Sequence, residues 1–182
     1  MNSVSESYAL FETPIGTCVI AWGERGVIAV QLPEASERET RTRMLRGRSS
    51  AREEQPPPSV QRGIDAIVAL LSGEDTDLTG ITLDMRGVPD FHRRVYEIAR
   101  AIPVGETSTY GVIATRLGDP TAARAVGQAL GRNPFPIIIP CHRVLAANGK
   151  LGGFSGGGGN ATKLRMLAIE GAQVRGALGL RP

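Results

Sequence analysis

The chain changes its hydrophobic rhythm near residue 86, and that change limits the folds open to it more than any other feature. Before it, short apolar runs at Tyr8–Glu12, Thr17–Trp22 and Val27–Leu32 alternate with Thr13-Pro14-Ile15-Gly16 and Gly23-Glu24-Arg25-Gly26. Turn-forming clusters between short β-prone runs predict a β-meander. After it, Phe91, Val95, Ile98 and Ile102 recur at helical intervals behind Asp90, which is a good N-cap. The break itself, Arg86-Gly87-Val88-Pro89, suits neither element.

The intervening stretches follow the same logic. Ser36–Arg46 is charged and is expected to be helical, whereas Gly47–Pro58 is polar and ends in prolines, the composition of an exposed connection. Ser59–Leu71 places Ile64, Ile67, Val68 and Leu71 on one helical face, and Ile81–Met85 is a candidate further strand. In the second half, Ser108 or Thr109 caps a short helix with Tyr110, Ile113, Ala114 and Leu117 on one side. Gly118-Asp119-Pro120-Thr121 is a turn, and Ala122–Gly131 is a second short helix, which together make a helix-turn-helix candidate. A last helix, about Thr162–Glu170, is expected to turn Leu164, Leu167 and Ala168 inward. The fold expected is α+β, with a β-rich domain at 1–85 (exposed linker at 47–58), a helical domain at 86–171 and a tail at 172–182.

A hydrophobic content of 41% with 21% charged residues excludes a disordered chain. No apolar run approaches the ~18–20 residues that cross a bilayer, and the first residues lack a basic segment followed by an apolar one. No membrane contact, no signal peptide and a cytoplasmic location are therefore expected. Two cysteines and two histidines, widely scattered, are too few for a zinc pattern, so no metal is expected and both thiols are expected to be free. Net charge is only +3, but Arg116, Arg124, Arg132, Arg143, Lys150 and Lys163 face only Glu106 and Asp119 between residues 101 and 163. That excess suits a polyanion.

Chemistry concentrates in Phe135-Pro136-Ile137-Ile138-Ile139-Pro140-Cys141-His142-Arg143-Val144. β-Branched residues between prolines predict a short buried extended segment delivering Cys141. An ordinary thiol is mostly protonated at neutral pH and becomes nucleophilic only beside a base or a positive charge; here His142 and Arg143 follow directly. Neighbours on a strand point to opposite faces, so a water between thiol and imidazole is one route for the proton. The alternative is a buried structural cysteine. Cys18, within Gly-Thr-Cys-Val-Ile-Ala, reads as core, and His92 as a surface residue without a catalytic part. Asn148–Gly159 is a glycine-rich loop that lacks the spacing of a phosphate-binding loop. It suits a backbone wall for a flat ligand or a flexible solvent loop equally well. The helix carrying Ala122, Ala123, Ala125 and Gly127 around Arg124 has small side chains that fit a shallow groove, or a tightly packed interior with Arg124 reaching out.

These residues resemble the O6-methylguanine-DNA methyltransferases, also called O6-alkylguanine-DNA alkyltransferases. The likeness rests on Pro140-Cys141-His142-Arg143-Val144, preceded by Gly131-Arg132-Asn133-Pro134 and Ala122-Ala123-Arg124-Ala125-Val126-Gly127. It also takes in Gly105-Glu106 with Ser108-Thr109-Tyr110, Gly153-Phe154-Ser155-Gly156-Gly157 and Glu170-Gly171. It spans about residues 86–171 strongly; before that only Thr13-Pro14-Ile15-Gly16 matches in character. The resemblance implies a ribonuclease-H-like first domain, then a helical one with a helix-turn-helix. It implies that Cys141 accepts the alkyl group from O6 of guanine (O4-alkylthymine being a further substrate in question) irreversibly and once per molecule, without a cofactor. His142 would act as base through a water, oriented by Glu170. Tyr110 would neutralise the leaving guanine, and Asn133 would brace the segment. Arg124 would take the place of a base flipped through the minor groove, with Ala122, Ala123, Ala125, Gly127 and Arg132 against DNA. Val144, Phe154, Ser155 and Gly156 would contact the substrate. The partner would be double-stranded DNA and the protein a monomer.

Three features set this chain apart within that resemblance. The glycine loop after Ser155 is longer than in many relatives, the zinc-binding residues of some relatives are missing, and Cys141 stands where non-catalytic relatives carry tryptophan. A non-catalytic lesion sensor, a helix-turn-helix regulator and a thiol hydrolase are the competing readings. The first conflicts with Cys141, the second with a helix poor in base-reading side chains, and the third predicts repeated turnover.

Overall fold

The structure is a computed structural model that describes residues 5–174; the expected tail therefore lies outside the described residues from 175 onward. The three predicted strands form as β1 (Ser7–Thr13), β2 (Gly16–Gly23) and β3 (Gly26–Gln31). They are joined antiparallel by tight turns at 14–15 and 24–25, with Thr13 opposite Gly16 and Gly23 opposite Gly26. Gly26 has φ +126°, and a Cβ there would collide with the Thr82 carbonyl, so the second turn needs glycine.

Every residue of Cys18–Trp22 is buried, because both faces of the sheet are covered. α1 (Glu37–Met44) lies over Tyr8, Val19, Ala21 and Ala29 through Met44. Its start is capped by Ser36, whose side chain accepts from the Glu39 N–H. On the other face Phe11, Cys18, Ile20 and Trp22 join one apolar cluster with Ile64, Ile67 and Leu70 of α2 (Pro58–Leu71) and with Val95, Ile113, Val126 and Ile139 from beyond residue 86.

Two expectations in the first half need correction. The connection at 47–58 contains a short strand, β4 (Arg52–Glu53), parallel to β1, giving the sheet order β3-β2-β1-β4. Composition hides it because both residues are exposed and charged. Ile81–Met85 makes only a single bridge, Val27 to Leu83. The β3 edge is shared: Val27 bonds Thr82 and Asp84, while the Val30 N–H donates to Pro134 O at 2.8 Å. A longer fifth strand has no edge left to pair with.

The remaining elements are helices with one small pair of strands. α3 (Asp90–Arg100) begins one residue earlier than expected. Pro89 takes the cap position and Asp90 sits in the first turn without a capping bond, where its charge favours the helix dipole. β5 (Ser108–Thr109) leads directly into α4 (Tyr110–Arg116), with Thr109 accepting from the Val112 N–H. A 3-10 turn at Pro120–Ala122 connects to α5 (Ala123–Gly131). β6 (Val144–Leu145) lies parallel to β5, and α6 (Gly159–Ile169) closes the chain. The inward face of α6 is Lys163, Met166 and Leu167, whereas Ala168 is exposed and Leu164 half-buried. The expected face is thus displaced by one residue. The result is a mixed α+β fold, and among the described residues no helix is long and apolar enough to cross a membrane.

Candidate active site

The segment before Cys141 is buried as expected but is not extended. Turns replace the strand: Ile137 has φ +73°, a conformation that β-branched side chains resist. Asn133 holds this bend from both ends. Its Nδ2 donates to Ile139 O at 2.9 Å, and its Oδ1 accepts from the Phe135 N–H at 2.9 Å. Ile137, Ile138 and Ile139 fill the core at 1% exposure or less, which compensates for the unfavourable turn. Cys141, His142 and Arg143 then form one 3-10 turn, so the opposite-face geometry of a strand does not apply to them.

His142 is buried, and its Nε2 lies 2.8 Å from Glu170 Oε1. The same carboxylate accepts from Arg143 Nε at 2.8 Å and Nη2 at 2.9 Å, while Arg143 Nη1 donates to Ile102 O at 2.6 Å. Burial alone would raise the Glu170 carboxyl, but hydrogen bonds and charge from His142 and Arg143 bring it down to about 2. An ionised carboxylate only accepts, so the imidazole proton must sit on Nε2. Burial also pushes the His142 pKa below its ordinary value, against the pull of Glu170. Nδ1 is left as a bare lone pair, buried and without a protein partner among the described residues. A neutral imidazole with a fixed tautomer and a free nitrogen is a proton acceptor awaiting a donor.

Cys141 is the thiol of the same 3-10 turn. Burial raises its pKa, while hydrogen bonding from Asn133, the charge of Lys163 and the N–H groups of its own turn act in the opposite direction. The resting group is a thiol. Cys18, by contrast, is pushed up to about 12 by burial and is an inert part of the core.

Tyr110 reaches the same place through backbone pairing. Ser108 pairs with Val144 and Thr109 with Leu145, so β6 carries the chain out of the cysteine turn beside the start of α4. Two glycines flank its ring: a Cβ on Gly127 would lie 3.9 Å from the ring, and one on Gly152 would lie 3.0 Å from the hydroxyl. Burial, then the charge of Cys141, raises the Tyr110 pKa, which keeps its proton available.

A cavity of about 220 Å3 opens at Cys141, lined among others by Leu130, Asn133, Phe154 and Ser155, and by Gln31 and Arg43 from the first half of the chain. The glycine loop packs against the first half of the chain there, with Phe154, Ser155 and Gly156 in the cavity lining. A Cβ on Gly157 would collide with the Pro33 carbonyl, and one on Gly156 with Leu32. Ser155 Oγ donates to Gly131 O at 3.0 Å, and Arg43 Nη2 donates to Ser155 O at 3.1 Å while pairing with Glu34 at 2.9 Å. Sequence reasoning gave the N-terminal part no place in this pocket, because nothing in a β-meander marks which residues will meet a loop over a hundred positions away.

Lys163 was also missed, having been counted with the surface charge. It is fully buried, and its ammonium donates to Val144 O at 2.6 Å and Leu151 O at 2.7 Å, with the Phe154 ring centroid at 5.9 Å. The signal lay in its spacing from Glu170: 163, 166, 167 and 170 form one helical face. Arg143 is buried too, leaving Arg116, Arg124, Arg132 and Lys150 as the exposed cations of this region. On α5, Arg124 is exposed with no hydrogen bond or ion pair to the described residues, while Ala123, Ala125 and Gly127, and Ala122 in the 3-10 turn before it, are half-buried. His92 is half-buried rather than on the surface, its ring between Phe91 and Tyr96 at centroid distances of 6.4 and 6.0 Å.

Comparison with known proteins bears on this arrangement. Residues 90–172 match the family described as 6-O-methylguanine DNA methyltransferase, DNA binding domain. A methylated-DNA–protein-cysteine methyltransferase of Mycobacterium tuberculosis is 38% identical over 164 residues, 90% of this chain and 91% of that protein. The crystal structure of Mycobacterium tuberculosis OGT in complex with DNA superposes with a TM-score of 0.74 at 37% identity, covering 91% of this chain and 92% of that one. An O6-methylguanine-DNA methyltransferase from the archaeon Pyrococcus kodakaraensis superposes at 0.69 with 26% identity, covering 92% and 100%.

Proposed function

From the premise that this chain belongs to the methylated-DNA–protein-cysteine methyltransferases, we propose that Cys141 is the acceptor and that the residues around it divide the proton transfers between them. The protein binds DNA and reverses alkylation damage directly, by transfer of the alkyl group to a cysteine of its own. The observation that carries the assignment to Cys141 is the neutral His142, held by Glu170 with Nδ1 free, next to the one thiol that opens on a cavity. The other cysteine is sealed in the core.

The reaction balances with these groups alone. The Cys141 proton passes to His142 Nδ1, through a water. The thiolate attacks the alkyl carbon on O6 of guanine, an S–C bond forms and the C–O bond breaks. The electron pair stays on the guanine, which takes a proton from Tyr110; the proton held by the His142 imidazolium then returns through solvent to the Tyr110 oxygen, so both groups end neutral. The imidazolium is stabilised by the Glu170 carboxylate. The thioether product has no route to hydrolysis, so each molecule acts once and no cofactor is required. Asn133 keeps the turn in place; Phe154, Ser155 and Gly156 line the cavity as walls for the base, whereas Val144 is sealed in the core and does not line it.

A base inside a duplex is out of reach of this pocket, so the guanine must leave the stack. The exposed, unpaired Arg124 on a helix of small residues suits insertion from the minor groove in its place, with Arg132 near the backbone. On this reading α4 and α5 act as a helix-turn-helix. The part before residue 86 is a ribonuclease-H-like support domain, and one monomer serves one O6-alkylguanine lesion. Incubation with an oligonucleotide carrying O6-methylguanine, followed by intact-mass and peptide analysis, tests the assignment. One added methylene on the Cys141 peptide, absent in Cys141→Ala, is the expected result. Transfer that persists in Cys141→Ala would overturn it.

A further inference from the structure

We propose that Arg43, from the first half of the chain, is a specificity-determining residue: it latches the glycine loop at the mouth of the Cys141 cavity and so limits the size of the alkyl group that the thiol accepts. The inference rests on Cys141 being the acceptor.

A run of hydrogen bonds borders that mouth, passing from β3 and α1 to the glycine loop and α5. Gln31 Nε2 donates to Glu34 Oε1 at 3.1 Å, and the same oxygen accepts from Arg43 Nη1 at 2.9 Å. Arg43 Nη2 donates to Ser155 O at 3.1 Å, and Ser155 Oγ donates to Gly131 O, at the end of α5, at 3.0 Å. Gln31, Arg43, Ser155 and Gly131 all line the cavity together with Cys141. Arg43, Ser155 and Gly131 are exposed, whereas Leu32, on the same lining, is buried and Cys141 is half-buried. The bonded run therefore lies on the solvent side of the cavity, where an alkylated base has to enter.

Arg43 stands on a fixed post. Met44 beside it is buried in the sheet-facing cluster, and buried Thr40, one turn earlier on α1, accepts from the Glu34 N–H at 2.9 Å. The loop is tied to that post by a single bond. Among the described residues, Arg43 to Ser155 O is the one hydrogen bond from the first half to residues 152–158. The rest of that contact is packing of Gly156 and Gly157 on Leu32 and Pro33. A guanidinium holds both partners on separate nitrogens in one plane, whereas a lysine ammonium must share one nitrogen between them. The Arg43 and Glu34 side chains are 43% and 17% exposed, so the latch is weak. A pair of this kind contributes at most about 1 kcal/mol, a factor of about five. A methyl group fits while the loop stays latched. A bulky group on O6 needs the loop displaced, and its transfer alone carries the cost of opening.

The test measures single-turnover transfer to the full chain from one duplex carrying either O6-methylguanine or O6-benzylguanine, and from free O6-benzylguanine. Wild type is compared with Arg43→Ala, with Arg43→Lys, and with Glu34→Ala, which takes the carboxylate from Arg43 without touching the loop. The expected result is a benzyl-to-methyl rate ratio about fivefold higher in Arg43→Ala, with a smaller rise in the other two variants. The free base, which involves no DNA, should gain by the same factor. An unchanged ratio in Arg43→Ala, or an equal change for both alkyl groups, would overturn the proposal, since a purely structural residue or a DNA contact moves both rates together. A gain confined to the duplex would overturn it too, by placing Arg43 on the DNA. Should Arg43→Ala not fold, the ratios in Arg43→Lys and Glu34→Ala decide in the same way. Absence of transfer from every substrate to the wild-type protein would instead remove the assignment of Cys141, and the proposal with it.

Discussion

Replacing Glu170 by glutamine keeps the shape of the side chain and removes its charge. Glu170 and Arg143 are 2% and 7% exposed at the side chain, so solvent cannot take over the lost interactions. The fall of the Glu170 pKa from 4.5 to about 2 corresponds to about 3 kcal/mol of stability at neutral pH, at roughly 1.4 kcal/mol per pH unit. Mutational experience with broken buried pairs gives a similar figure, about 3–5 kcal/mol, because the partner charge is stranded. The folded-state pKa lies below the unfolded one. This contribution is therefore fully present above about pH 4.5 and is lost as pH falls from there toward 2. Urea denaturation of wild type and Glu170→Gln at pH 7 should differ by about 3 kcal/mol, and the gap should shrink to less than half by about pH 3. His142, whose depressed pKa costs stability below its ordinary value of 6.5, loses the upward pull of Glu170 in the variant, so the comparison is made in a His142→Gln background as well, where this contribution is absent from both proteins. A gap under about 1 kcal/mol at pH 7, the worth of an exposed pair, or one that does not narrow with acid, would refute the reasoning. The same variant should transfer methyl about 100-fold or more slowly, because His142 loses the partner that fixes its tautomer.

Tyr110→Phe keeps the ring between Gly127 and Gly152 and removes the proton for the leaving guanine; single-turnover transfer should slow about 100-fold or more with DNA affinity unchanged. Arg124→Ala should lower transfer from duplex DNA by at least about tenfold, since holding a base out costs a few kcal/mol, while the rate with a free alkylated base stays the same. An equal loss on both substrates would remove Arg124 from the flipping role. Gly157→Ala drives a methyl group into the Pro33 carbonyl. It should lower stability by about 1–3 kcal/mol in thermal unfolding and slow transfer by undocking Ser155.

Several parts of this protein were written in local sequence. The meander of β1 to β3 follows from turn clusters between short apolar runs, and α2 follows from an apolar stripe at helical spacing, because both patterns depend on residues only a few positions apart. The residue types of the site were legible as well. Cys141-His142-Arg143 with Asn133, Tyr110, Ser155 and Glu170 announced thiol chemistry through their resemblance to a family of alkyltransferases.

What the chain could not declare locally was decided by long-range packing. Ile137–Ile139 are β-prone, yet they fold as a bend because Asn133 and the core around them outweigh propensity. The inward face of α6 carries Lys163 and Glu170, which an apolar count passes over, because burial there is compensated by carbonyls, His142 and Arg143 brought from other elements. Gln31, Leu32 and Arg43 border the cysteine pocket only because β3 and α1 are held against the second half. Side-chain type is a local property, whereas the dielectric, the counter-charges and the walls around a thiol are set by whatever the fold places beside it. Sequence alone determined which thiols, imidazoles and carboxylates were available, and the tertiary structure decided which of them lie together and in what surroundings.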